Sequence, residues 1–216
     1  MPDPEWPVSP TSESAQTGAA DASSDEESVR LMLRVKEGDE RAFEKLVELH
    51  QRTIIGTVAR MLNSLDDAHD IAQQVFVRIW RSAPRYEPSA KFTTWMFTIT
   101  RNLVFNEMRK RGRRKEVPME SPNEDEPPKQ YAHPMAPSAD TITQHDELER
   151  ALDIAISKLP DKQRLAVVMR RYEEVPYEEI CKVLGMSLPA VKSLLFRART
   201  ELRKHLAAYL GEDMPE

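Results

Sequence analysis

The sequence predicts an all-α protein: two small helical domains joined by a flexible acidic linker. Three observations carry this. Apolar residues recur at helical spacing through two long blocks, with almost no alternating strand pattern. Aromatic residues make up only 6% of the 216 residues, and six glycines are too few for the turns of a strand-rich fold. The charge is segregated along the chain, which hides behind a net charge of −5.

The segregation sets the boundaries. Residues 1–28 hold seven acids, four prolines and no Lys or Arg, a composition that buries too little apolar surface to fold. This extension is expected to be disordered and dispensable for function. Residues 29–115 form the first helical block, and its stretch 101–115 carries seven basic groups against Glu107 alone. Residues 116–144 read as an acidic, Pro-rich linker, since 116–147 hold eight acids, six prolines and one lysine. Residues 145–210 form a second, basic block, and 211–216 an acidic tail. Local basic patches, more than the acidic sum, govern binding to nucleic acid.

Each helix has its own signal. Leu31, Val35, Ala42, Phe43, Leu46 and Val47 give a helix broken near Gly38-Asp39, continued from Leu49 to Leu62. Asp66 and Asp67 open the next helix, placing negative charge at the positive end of its dipole; Ala68, Ile71, Ala72, Val75 and Ile79 follow before Pro84. Arg85–Lys91 is a loop. Phe92, Trp95, Met96, Ile99 and Leu103 then form one apolar stripe on a long helix running into Arg109–Lys115. In the second block Leu148, Leu152, Ile156 and Leu159 form a helix ended by Pro160, and Asp161 is placed to cap the next. Two more helices follow from Tyr177.

Several function classes drop out. One cysteine and five scattered histidines make neither a disulfide framework nor a zinc ligand set, and no glycine run makes a phosphate loop. No cofactor or metal is expected, nor an enzyme. The longest stretch without Asp, Glu, Lys or Arg, Gln130–Ala139, holds two prolines, so no membrane insertion is expected and the protein is placed in the cytoplasm.

The sharpest motif lies in Tyr177–Leu195. A helix-turn-helix needs a small residue where its helices cross, a glycine four residues on for positive φ, and an apolar docking residue six further. Cys181, Gly185 and Val191 have that spacing. Ser187 fits the N-cap of the second helix, with Pro189 in its first turn. That helix buries Val191, Leu195, Ala198 and Leu202 and turns Lys192, Ser193, Arg197 and Arg199 outward. The alternative is a helical hairpin with a solvated basic face. Cys181 is read as the small residue of the crossing, not as a redox switch.

In the first block, Trp95, Phe97 and Phe105 mix with Thr94, Thr98, Thr100, Arg101 and Asn102 on one helix. Aromatics that stack bases, beside positive charge, suit unpaired nucleic acid. Trp95 also lies on the apolar stripe, so burial is its competing fate. Phe97 and Phe105 lie off it, for a partner surface or for packing on the first helix. The preceding helix shows Asp70, Gln73, Gln74 and Arg78 beside exposed-looking Phe76 and Trp80, a candidate protein contact.

With those residues in place, the chain resembles the extracytoplasmic-function (ECF), group IV, sigma factors of bacterial RNA polymerase, in the sigma-70 family. Residues 66–76 (Asp66-Asp67-Ala68-His69-Asp70-Ile71-Ala72-Gln73-Gln74-Val75-Phe76), Phe92-Thr93-Thr94-Trp95 and Thr100-Arg101-Asn102-Leu103 resemble region 2. Leu159-Pro160, Val191-Lys192-Ser193 and Arg197-Ala198-Arg199 resemble region 4. The chain departs from common family residues at Gln74, Leu194 and Phe196. The resemblance implies an alternative sigma factor whose partners are core RNA polymerase, through its β′ clamp and β flap, promoter DNA, and an anti-sigma factor. It implies core docking by Asp70, Gln73, Gln74 and Arg78. It implies capture of the −10 element by Lys91, Thr94, Trp95, Phe97, Thr98, Arg101 and Asn102. It implies reading of the −35 element by Ser187, Pro189, Ala190, Lys192, Ser193, Arg197 and Arg199. The competing class is a helix-turn-helix regulator that binds duplex DNA without docking on polymerase.

Overall fold

A computed structural model describes residues 17–116 and 144–210. The linker, apart from its end residues 116 and 144, lies outside the described residues, as do 1–16 and the tail 211–216. The described chain is helical throughout: α1 (Thr17–Lys36), α2 (Glu40–Leu62), α3 (Leu65–Ser82), a 3-10 turn (Ala83–Arg85), α4 (Phe92–Glu116), α5 (Gln144–Ser157), α6 (Asp161–Arg171), α7 (Tyr177–Leu184) and α8 (Leu188–Leu210).

Local chemistry sets most boundaries. Gly38 takes φ 92° between α1 and α2, and Asp39 caps α2 by accepting from the Ala42 amide at 3.0 Å. That amide first, then Arg34 at 2.6 Å, holds the Asp39 carboxyl below its ordinary range. Asn63 ends α2 in the left-handed region, φ 53°, which Asn tolerates better than most residues. Ser64 caps α3 from the Asp67 amide. Asp161 is the first residue of α6, so its charge meets the dipole from inside the first turn and Pro160 holds the cap position.

Three results differ from the sequence expectation. Residues 17–28, expected to be disordered, form the start of α1, where Asp25 and Ser28 are buried with partners on other helices. Composition counted them as solvated, but each has a specific hydrogen-bonding destination. The second is Phe97, which is 3% exposed and belongs to the core, so it is no stacking surface. Helix α4 is covered on two sides, by α2 and α3 and by α7, so its buried face is wider than the single stripe. Phe76, expected exposed, is also buried, edge-on to Phe43 at 6.4 Å.

The two blocks pack on each other, α5 and α6 against α2, and α7 against α4. Arg60 of α2 places its Cζ 3.7 Å from the centre of the Tyr172 ring and its Nε 4.0 Å from Asp153. Tyr172 donates to Asp153 at 2.6 Å; burial, then that carboxylate, push the phenol up to about 12. Glu173 accepts from Thr57 of α2, and its burial raises the carboxyl. The last carbonyls of α2 receive guanidinium groups from both blocks: Arg164 donates to Met61 O at 2.8 Å and Arg111 to Leu62 O at 3.2 Å. Cations there satisfy orphan carbonyls and complement the dipole.

Candidate nucleic-acid interface

Helices α7 and α8 form the helix-turn-helix expected from the 181–185–191 spacing. Gly185 takes φ 65° as the residue that ends α7. The Met186 amide donates to Cys181 O at 3.0 Å and the Gly185 amide to Lys182 O at 3.3 Å, the paired closure of a left-handed helix end. Cys181 is half-buried, and burial, then Glu178, raise its thiol, which fits a packing role. Val191, Leu195, Ala198 and Leu202 are buried. This seating turns Ser187, Pro189, Lys192, Ser193 and Arg197 outward, with Ala190 half-buried. Phe196 stands among them 65% exposed, an aromatic ring at the centre of a basic face. Arg199 is half-buried and reaches the Tyr177 hydroxyl at 3.5 Å, bracing α8 on α7.

On α3, Asp70, Gln73, Gln74 and Arg78 are all exposed and lie at i, i+3, i+4 and i+8, which puts them on one face. Val77, at i+7, is 47% exposed in the middle of that face. The sequence reading missed it, although the helical spacing that grouped the polar residues also places Val77 among them. Trp80 continues the face, half-covered by Phe43 at 5.0 Å.

The remaining candidates stand on α4 and meet α7. Lys91 immediately precedes the helix and is half-buried. Trp95 is half-buried over Tyr86 at 5.0 Å and Phe92 at 5.8 Å. Thr94 is 4% exposed beneath α7, and its hydroxyl donates to Glu179 of that helix. Burial opposes ionisation of Glu179, but Lys182 at 2.8 Å and Thr94 outweigh it and keep the carboxyl below its usual range. Arg101 donates to Val183 O of α7 and, at 2.7 Å, to Asn102 Oδ1. The Thr98 hydroxyl turns back to Thr94 O at 2.9 Å. Asn102 is exposed, and beyond it Arg109, Lys110 and Arg113 extend a basic edge along α4. The structure therefore brings Thr94, Trp95, Thr98 and Arg101 together, with α7 lying over Thr94 and Arg101. Glu179 and the Val183 carbonyl are partners that sequence patterns could not supply.

Comparison with known proteins places this geometry. Residues 46–114 match sigma-70 region 2, and residues 149–202 match sigma-70 region 4. The chain is 31% identical over 191 residues to RNA polymerase sigma-H factor of Pseudomonas aeruginosa, covering 87% of this chain and 97% of that one. It is 32% identical over 219 residues to ECF RNA polymerase sigma factor SigE of Mycolicibacterium smegmatis, covering 97% of this chain and 74% of the relative. Among solved structures, CnrH in complex with the cytosolic domain of CnrY aligns with a TM-score of 0.59 at 24% identity, covering 82% of this chain and 96% of that one. RpoE in complex with the anti-sigma factor NepR, from Bartonella quintana, aligns with a TM-score of 0.57 at 24% identity, covering 76% and 96%. Both structures share the fold.

Proposed function

The chain belongs to the ECF sigma factors, sigma-70-family subunits that carry core RNA polymerase to promoters and start transcription there, and from that membership we propose how its surfaces divide the work. Residues 29–115 act as region 2 and 145–210 as region 4, with the acidic linker between them. The observation that carries this division is the separation of chemically different exposed faces: a polar face with a central valine on α3, and a basic face with a central aromatic on α8.

Asp70, Gln73, Gln74 and Arg78 dock on the β′ clamp, with Val77 as the apolar centre that a stable protein contact needs. Region 4 meets the β flap. Lys192, Ser193 and Arg197 enter the major groove of the −35 element from the N-terminal half of α8, with Ser187, Pro189 and Ala190 at its entry. Phe196 offers apolar contact to a thymine methyl, and the basic residues contact phosphates. Trp95 and Asn102 face melted −10 bases. Thr94, Thr98 and Arg101 complete that site when α7 moves off, because Thr94 and Arg101 now spend donors on Glu179 and Val183. Lys91 and the basic edge of α4 hold the strand's phosphates. The chain works in the cytoplasm, without catalysis of its own, and an anti-sigma factor is a further partner.

Three sets of substitutions test the division. Arg197→Ala is expected to weaken −35 duplex binding and lower its salt slope by about one. Arg101→Ala and Asn102→Ala are expected to spare the duplex and lose the melted −10 strand. Asp70→Ala with Gln73→Ala is expected to lose both through failed holoenzyme assembly. Losses that do not sort by set would sink the proposal.

A further inference from the structure

Helix α4 begins without a local cap. The first N–H groups of any helix lack intrahelical partners, and the residue just before α4 is Lys91, whose side chain has no acceptor. The missing acceptor comes from α1. Asp25, 9% exposed, accepts from the Phe92 amide at 3.2 Å, the Thr93 amide at 3.2 Å and the Thr93 hydroxyl at 3.1 Å. We infer that Asp25 is a positioning residue for −10 recognition, holding the first turn of α4 so that Thr94 and Trp95 stand where promoter bases arrive. The inference rests on the reading of α4 given above.

Two more tethers from α1 converge on the same place. The Ser28 hydroxyl meets His50 Nε2 at 2.8 Å, and the His50 ring packs on Phe92 at 5.1 Å between centroids. Lys36 donates to the Tyr86 carbonyl at 2.9 Å, and the Tyr86 ring lies against Trp95. Three side chains on one face of α1 thus reach the aromatic set beneath Trp95, and Asp25 alone reaches the α4 backbone. The contact has a second effect. A free helix N-terminus attracts phosphate. With a carboxylate in that place the amides are taken and a DNA phosphate is repelled, so the strand must pass along the side of α4, past Thr94 and Arg101. Asp25 lies well before residue 46, where the match to sigma-70 region 2 begins. It also lies within the extension whose composition suggested it was dispensable. Deleting residues 1–28 should therefore impair promoter opening.

The test uses the full chain carrying Asp25→Ala, Asp25→Asn or, as a control on the same helix, Ser28→Ala. Amide hydrogen exchange over Phe92–Trp95 is measured on each protein. So is affinity for core polymerase, for −35 duplex, and, as holoenzyme, for fork-junction DNA exposing the −10 strand. Asp25→Ala should speed exchange at Phe92 and Thr93 and weaken fork-junction binding about five- to thirty-fold, from the typical to the upper cost of losing one helix cap. Core and −35 affinities should stay within about two-fold, below the effect of losing a cap. Asp25→Asn keeps one acceptor and should recover most of the loss, whereas Ser28→Ala, which removes no bond to the α4 backbone, should change exchange at the α4 start far less than Asp25→Ala. Unaltered exchange and fork binding in Asp25→Ala would overturn the inference. So would equal losses on all three ligands without recovery in Asp25→Asn. If wild-type holoenzyme itself fails to retain the −10 strand, the reading of α4 falls, while exchange still decides whether Asp25 holds the helix.

Discussion

Acidification should weaken the seat of α1 through a single imidazole. The His50 ring is 7% exposed, hydrogen-bonded to Ser28 and packed on Phe92. Burial lowers its pKa from 6.5 to about 4, and the nearby Asp25 charge, which would raise it, does not offset the desolvation. The fold therefore holds His50 neutral, while the unfolded chain protonates it near 6.5. Between those two values the unfolded state binds more protons, so stability rises with pH and is lost as pH falls from about 6.5 toward 4. For that pair of pKa values, going from pH 7 to pH 5 removes about 2 kcal/mol, a large share of the stability of a small domain. The assay is chemical denaturation at pH 7, 6 and 5 for the wild type and for His50→Gln. The wild type should lose about 2 kcal/mol more than the variant across that range. Asp39 and Asp67, held low by their hydrogen bonds, titrate at lower pH and contribute equally to both proteins. Parallel pH dependence in the two proteins, or a His50 titration near 6.5 followed by NMR, would refute the reasoning.

Two further outcomes follow from particular contacts. Arg60→Ala removes the cation over Tyr172 and a neighbour of buried Glu173; it should weaken the contact between the two blocks by about 1–2 kcal/mol and expand the molecule in small-angle X-ray scattering, whereas an unchanged curve would show that the contact is not held there. Gly185→Ala forces a Cβ into φ 65° and should cost about 1 kcal/mol of stability at the turn while lowering −35 affinity; unchanged melting would mean that the turn does not need glycine.

The helices were legible because local patterns determine them. The stripe Phe92–Trp95–Met96–Ile99–Leu103 announces α4, and the 181–185–191 spacing announces the turn at Gly185. Asp66 and Asp67 mark the start of α3 to within a residue. The exposed polar face of α3 was also readable, because one helix carries all of it. What could not be read were partners far apart in sequence. Asp25 looks like one acid among seven until Phe92 and Thr93 lie against it. Thr94 looks like an open hydroxyl until Glu179 arrives from the other block. Phe97 looks like a surface aromatic because a single stripe assumes that α4 is covered on one side only. In each case the deciding energy is tertiary, a desolvated hydrogen bond or a second packing surface, and leaves no local periodicity.

The central claim is that region 2 captures melted promoter DNA only in company with polymerase, while region 4 reads duplex. Permanganate reactivity of promoter thymines tests it most directly, on DNA carrying the protein's own binding site, with and without core RNA polymerase. The account expects reactive thymines at −10 only when both proteins are present, and their loss in Arg101→Ala together with Asn102→Ala while the −35 footprint persists. Specific occupancy of the site without any opening in the presence of core polymerase would contradict it and leave a duplex-binding regulator in its place.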